Sequence, residues 1–225
     1  MDKTGGRHEI KHYINRADQI ELHSRLMHVA GPDENAAAGG GYRVRSLYFD
    51  NYEDKALREK IDGVNEREKF RLRYYNGDPS FLRLEKKSKT GGLCFKESAQ
   101  ISAAACRELL FGNYGVLKES AEPLLWELYA KMHAQLLRPK SIVDYRRDAY
   151  VYPPGNVRIT IDYDIRAGLD PKDFLNSEAP SVPIPGPAIL EVKYDAFLPE
   201  IIRGIVSLSS RQTAAFSKYA AARII

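Results

Sequence analysis

Charged residues recur at every second position in several stretches of this chain. Glu9/Lys11, Arg71/Arg73, Glu85/Lys87, Arg158/Asp162 and Glu191/Lys193 each occupy the polar side of an alternating run. Glu-x-Lys accounts for three of those five pairs. One reading is a solvated sheet face crossed by ion pairs. The other is a charged lumen, because amphipathic helices are available to cover the apolar faces and would turn the charged faces inward. Buried cations repel one another and are costly to desolvate. A lumen of this kind therefore implies a strongly anionic occupant, such as a chain of phosphates. Arginine offers planar forks to phosphate oxygens, and lysine offers compact point charges. The carboxylates would hold a hard cation, Mg2+ or Mn2+, that bridges phosphate oxygens. Phosphoryl transfer needs little beyond such positioning and charge neutralisation.

Other chemistries find little support. There is no Gly-x-x-x-x-Gly-Lys-Ser/Thr loop, and the Gly39-Gly40-Gly41 run precedes a strand rather than a helix. There is no Gly-x-Ser-x-Gly elbow. The five histidines form no ligand set, and His8 and His12 read as structural or exposed. Cys94 and Cys106 have no metal-type spacing and read as small buried residues in a reducing setting. Trp126 reads as core packing.

The elements that must carry these residues are mostly strands. Alternation predicts them over Arg7–Ile14, Phe70–Tyr75, Phe81–Lys87, Val157–Asp162 and Ile189–Asp195. Arg43–Phe49, Leu93–Ile101 and Ser141–Val151 are three more. About eight strands suit a closed antiparallel barrel. Helices are expected from Asn15 to about Val29, with Ile20, Leu22, Leu26 and Met27 as its apolar contacts. Others follow from Ser102 to Phe111, over Glu122–Leu137, and as a pair over Pro199–Ser207 and Gln212–Arg223. Gly31–Gly41 and the proline-rich Arg166–Pro187 read as loops. The strand after the second loop repeats the earlier charged pattern. That favours one domain over residues 1–225, in the α+β class, with a long excursion at about 166–187.

Lys and Arg number 34 against 30 Asp and Glu, a formal charge of +4. That is too small and too dispersed to argue for nucleic acid. A hydrophobic content of 44% argues against disorder. No signal peptide or membrane span is expected, and a cytoplasmic location is.

The ordered set Arg7-His-Glu-Ile-Lys11, Tyr48-Phe-Asp-Asn51, Lys69-Phe-Arg-Leu-Arg73, Leu84-Glu-Lys-Lys87, Tyr145-Arg-Arg147, Val157-Arg-Ile-Thr-Ile-Asp162, Glu191-Val-Lys193 and Phe216-Ser-Lys-Tyr219 resembles the VTC domain. That is the catalytic domain of vacuolar transporter chaperone polyphosphate polymerase and its bacterial relatives, within the triphosphate tunnel metalloenzymes. The resemblance implies an eight-stranded antiparallel tunnel with surrounding helices. It implies ATP and polyphosphate as partners, Mn2+ or Mg2+ as cofactor, and transfer of the ATP γ-phosphate to a growing chain. By motif position, Lys11, Arg71, Arg73, Lys87, Lys96, Arg147, Arg158 and Lys193 would bind phosphates. Ser217 and Lys218 would close over the phosphate path, and Arg71, Arg73 and Lys218 would be catalytic. Glu191 is the leading metal ligand, with Glu9 and Glu85 as ligands or salt-bridge partners. The adenylate-cyclase-like branch of the superfamily carries Glu-x-Glu-x-Lys on strand one; Arg7 replaces its first carboxylate here. No SPX module or transmembrane segment is expected, so membrane translocation is not carried over, and a membrane-protein partner would not be visible in the sequence. Three readings stand: an ATP-dependent polyphosphate polymerase, a metal-dependent triphosphate hydrolase, and a non-catalytic module that binds polyphosphate or nucleotide.

Overall fold

A computed structural model of the chain describes residues 4–33, 41–208 and 216–223. Its strands are β1 (Thr4–Ile14), β2 (Gly31–Pro32), β3 (Gly41–Asp50), β4 (Arg67–Tyr75), β5 (Asp78–Thr90), β6 (Leu93–Gln100), β7 (Arg138–Tyr152), β8 (Val157–Gly168), β9 (Ser181–Pro183) and β10 (Ala188–Tyr194). Its helices are α1 (Arg16–Leu26), α2 (Lys55–Ile61), α3 (Ala103–Leu110), α4 (Pro123–Ala134), α5 (Glu200–Val206) and α6 (Lys218–Ala222). Eight strands run in the order β7-β3-β4-β5-β6-β1-β10-β8, and β8 pairs back onto β7 to close the ring. Every pairing is antiparallel. The short strands β2 and β9 are additions on β7 and β8.

Most of the barrel is apolar outside and charged inside, but on β3 and β7 the buried Arg45–Asp144 pair lies on the outer face and Val44, Tyr48, Val143 and Tyr145 lie on the inner one. Phe70, Leu72 and Tyr74 of β4 and Leu82 and Leu84 of β5 face outward, against Leu109 of α3 and Leu124, Leu125, Leu128 and Met132 of α4. On the opposite wall, Ile159 and Ile161 of β8 and Leu190 and Val192 of β10 meet Leu22 and Leu26 of α1 and Ile202 and Val206 of α5. Each large apolar side chain removed from water in this way stabilises the fold by about 1.5–3 kcal/mol. Period-two alternation then leaves the intervening charged residues no direction but inward.

Local chemistry sets the helix starts. Asn15 and Asp18 form a reciprocal capping box at α1, each side chain accepting from the other's backbone N–H at 2.9 and 2.8 Å. Ser102 Oγ accepts from the Ala105 N–H at 3.1 Å at the start of α3. Several expectations need correction. The α1 helix stops at Leu26, not Val29. Ile20 and Met27 are exposed, since at 3.6 residues per turn neither shares the buried Leu22/Leu26 face. Trp126 is 47% exposed and outside the core, and its indole N–H donates to the Ser120 carbonyl at 3.1 Å. Cys94 is exposed on β6, whereas Cys106 is buried.

The proline-rich segment is more ordered than expected. It contains the end of β8, a 3-10 turn at Pro171–Leu175 and strand β9. Pro171 starts the turn and Pro183 lies on the edge strand β9, two places where no backbone donor is needed. Strand β10 then returns to the barrel between β1 and β8. Of the expected Gly31–Gly41 loop, Gly31 and Pro32 form β2 and Gly41 opens β3, while 34–40 lie outside the described residues. Of the expected helix Gln212–Arg223, 212–215 lie outside them, and α6 begins only at Lys218. Among the described residues, no helix is long and apolar enough to cross a membrane.

Candidate functional site

Strand closure brings the charged faces together in three groups. The first surrounds Glu85 of β5, which is 1% exposed. Arg71 of β4 donates to Glu85 Oε2 through Nε at 2.6 Å and Nη2 at 2.5 Å. Lys96 of β6 reaches Oε1 at 2.6 Å, and Arg73 stands 3.9 Å from Oε2. Cross-strand register sets this meeting, because Arg71 lies directly opposite Glu85. Arg73 spends its other donors on Ser46 Oγ at 3.0 Å and the Tyr145 hydroxyl at 2.9 Å. Burial alone would raise the Glu85 carboxyl; Arg71, Arg73 and Lys96 outweigh it and hold the group well below the usual carboxylate range.

The second group alternates in sign. Lys11 bonds Glu9 and lies 3.3 Å from Glu191. Lys193 lies 2.5 Å from Glu191 and 3.7 Å from Glu9. Strand pairing again places them, with Glu9 opposite Lys193 and Lys11 opposite Glu191. The third group surrounds Asp162 of β8, which is fully buried. Arg147 of β7 grips it with two parallel bonds of 2.6 and 2.8 Å. Lys218 of α6 reaches Asp162 Oδ2 at 2.5 Å with its ammonium 4.7 Å over the Tyr145 ring.

Lys87 and Lys69, both on the charged faces, make no ion pair within the described residues. Lys87 is opposed chiefly by the Lys193 ammonium, then by burial and Arg71, and these push it well below the usual lysine value. Burial brings Lys69 down to about 8, with Arg71 and Lys11 adding to the effect. Beside it, the buried Tyr48 hydroxyl accepts from Arg71 Nη1 at 3.2 Å. Burial would raise that phenol, but Arg71, Lys69 and Arg73 bring it down to about 7. The lowering of Lys69, Lys87 and Tyr48 together points to an excess of positive potential around these three groups, whereas Lys11, between Glu9 and Glu191, is shifted upward.

The remaining expected residues sit differently. Arg158 lies opposite Lys193 across the β8–β10 pairing and is 33% exposed; it pairs with Asp33 at 2.9 Å and donates to the Tyr42 hydroxyl at 3.0 Å. Lys96 is 42% exposed and lies opposite Lys87 on the neighbouring strand. Ser217 turns its hydroxyl to its own helix, accepting from the Ala220 N–H at 3.4 Å. Glu85 has both oxygens engaged by cations, Arg71 and Lys96, as Glu9 and Glu191 have theirs engaged by Lys11 and Lys193. Among the described residues, no group of three or more His, Cys, Asp or Glu side chains gathers. Glu9 and Glu191 are nonetheless a fitting pair for a divalent cation that draws its other ligands from phosphate oxygens and water.

Tyr48, Tyr145 and Lys69 lie in quoted motifs but carry no assigned role from the sequence, and Asp162 is read there only as a polar-face partner of Arg158. Asp162 and Lys69 share the alternating faces of Arg158 and Arg71.

The sequence matches the VTC domain family over residues 6–224. No curated protein matches it in sequence. Among solved structures it is similar to a candidate adenylate cyclase from Bacillus halodurans, with a TM-score of 0.53 and 12% identity over 86% of this chain and 82% of that one. It is also similar to HpAC1 from Hippeastrum, a candidate adenylyl cyclase with a dominant triphosphatase activity. That match has a TM-score of 0.55 and 13% identity over 97% of this chain and 95% of the other. At these identities the likeness speaks for the fold, a closed eight-stranded tunnel. The family match spans nearly the whole chain and includes all eight barrel strands, so the chain belongs to the VTC domain family.

Proposed function

We propose that this protein is an ATP-dependent polyphosphate polymerase that transfers the γ-phosphate to a growing chain held inside the lumen. The observation that carries the phosphate reading is Lys87, a half-buried lysine that Lys193 and Arg71 oppose more strongly than Glu191 and Glu9 favour, with no ion pair among the described residues. An anion entering beside such a group favours its charged form. Arg71, Arg73, Lys87 and Lys11 would bind the chain, with Lys96, Arg147, Arg158, Lys193 and Lys218 beside them. Arg71, Arg73 and Lys218 would neutralise charge on the transferring phosphoryl group. Glu191 with Glu9 would hold Mg2+ or Mn2+, which when bound supplies Lewis-acid stabilisation of phosphate oxygens. Family membership favours the polymerase over the hydrolase. The triphosphatase activity of the Hippeastrum protein is the specific reason to keep hydrolysis as the second reading.

The test is incubation with ATP and Mn2+ while ADP, orthophosphate and long-chain polyphosphate are followed. Polymer with ADP is the expected result. Orthophosphate without polymer would move the assignment to the hydrolase, and binding without turnover to a non-catalytic module.

A pH signature also follows. An entering phosphate chain raises the proton affinity of both Tyr48 and Lys69, so the complex holds more protons than its parts. Affinity should therefore fall as pH rises past about 7 and again past about 8. Titration calorimetry with tripolyphosphate in two buffers of different ionisation enthalpy reads the protons directly. Tyr48→Phe should take up fewer protons than wild type, and this difference cancels the ligand's own ionisation. Equal uptake by the two proteins would contradict the assignment.

A further inference from the structure

Two of the ordered motifs contain residues that the phosphate chemistry does not use: Asp50 and Asn51 after Tyr48, and Tyr219 after Lys218. They meet in space. Asp50 ends β3 fully buried. Its Oδ1 accepts from the Asn51 and Ala56 N–H groups, both at 2.9 Å, and its Oδ2 from the Leu57 N–H at 3.1 Å. It thereby holds the first turn of α2. The same Oδ2 accepts from the Tyr219 hydroxyl at 2.6 Å, across 169 residues of sequence. The Tyr219 ring stacks on the lumen tyrosine Tyr48, with centroids 5.2 Å apart. A second tie lies alongside. Arg223 Nη2 contacts both oxygens of Asp54, at 3.0 and 2.9 Å, and Lys140 approaches the same carboxylate at 3.3 Å. On its other flank, Phe216 is edge-on to Tyr13 and borders a groove of about 720 Å3 lined also by Arg16 and Tyr163.

A five-residue helix has too little backbone hydrogen bonding to hold itself in place. Its side-chain ties must fix it, and Lys218 is the residue it delivers to Asp162 inside the lumen. We propose that Asp50 and Tyr219 are positioning residues for Lys218. With the Asp54–Arg223 pair they dock α6 over one end of the lumen, and the docked helix sets the Lys218 ammonium against the incoming phosphate chain. The proposal rests on the phosphate-binding reading of the lumen and adds the device that places its one helical cation.

Tyr219→Phe is the cleanest probe. It removes only the hydroxyl, and Asp50 keeps its three backbone donors. Tripolyphosphate affinity of the full chain is measured by calorimetry for wild type, Tyr219→Phe, Lys218→Met and the double variant. Tyr219→Phe should bind about tenfold more weakly, the scale of a hydrogen bond to a charged group. The double variant should bind no more weakly than Lys218→Met, because the tyrosine acts through the lysine. A general structural role would instead give additive losses, which would overturn the proposal, as would wild-type affinity in Tyr219→Phe. Should Tyr219→Phe fail to fold, charge exchange decides. Asp54→Arg should weaken binding and Arg223→Asp in the same chain should restore it; no restoration overturns the proposal. Absence of tripolyphosphate binding by the wild type would instead sink the lumen reading itself, so the two failures are distinguishable.

Discussion

Replacing Glu85 with glutamine is expected to destabilise the anion-free protein by about 3–5 kcal/mol, the cost of removing one partner from a buried ion pair. Glu85 is the carboxylate on which Arg71, Arg73 and Lys96 converge. Glutamine preserves the shape and can accept a hydrogen bond, but it carries no charge. Arginine cannot shed its proton to relieve the strain. Two buried guanidinium groups would then face each other uncompensated, with Lys96 beside them. Denaturant titration in a buffer free of multivalent anions should show the loss as a lowered midpoint. Tripolyphosphate should restore much of it, because an anion in the lumen does the work of the missing carboxylate. A midpoint equal to wild type, or one that tripolyphosphate does not move, would contradict the electrostatic account.

Arg73→Ala should have the opposite profile. Its guanidinium bonds two hydroxyls, Ser46 and Tyr145, and stands beyond hydrogen-bond reach of Glu85. Removing it relieves the repulsion with Arg71 and leaves Glu85 its closer partners, Arg71 and Lys96. Stability should change little. Turnover should fall by about 10²–10³, the usual cost of losing one preorganised charge-stabilising donor. The rate of ADP formation from ATP and the thermal midpoint, measured on the same sample, give the comparison. A large drop in midpoint with turnover retained would show that Arg73 is structural.

The contrast between these substitutions marks where the sequence was legible. The sorting of charge by strand face was readable from Arg71/Arg73, Glu85/Lys87 and Glu191/Lys193, because alternation needs no partner to be seen. So was the need for helices outside, since the apolar faces had to be covered. The pairing of particular cations with particular carboxylates was not. Glu85 meets Lys96 only because β5 and β6 form one hairpin register, and Arg147 meets Asp162 only because β7 and β8 close the ring. Helix α2 was invisible for another reason: none of its residues is buried, so it has no apolar stripe. Trp126 misled because a large aromatic residue on an amphipathic helix reads as core, yet its indole bonds a turn at the helix start.

The ring closure also bears on how the chain folds. Strand β1 lies within the first fourteen residues, yet one of its neighbours, β10, begins at Ala188. On the ribosome, β1 must wait for most of the chain before that edge is covered. Hairpins such as β4–β5 and β5–β6 can form early, because their partners are adjacent in sequence. Joining β1 to β10 carries the loop-closure entropy of nearly the whole chain, and such non-local pairing is slow. Refolding kinetics should therefore end with this seam. Lys11 faces Glu191 and Glu9 faces Lys193 across it, so that alternating group of charges forms only as the last step of folding.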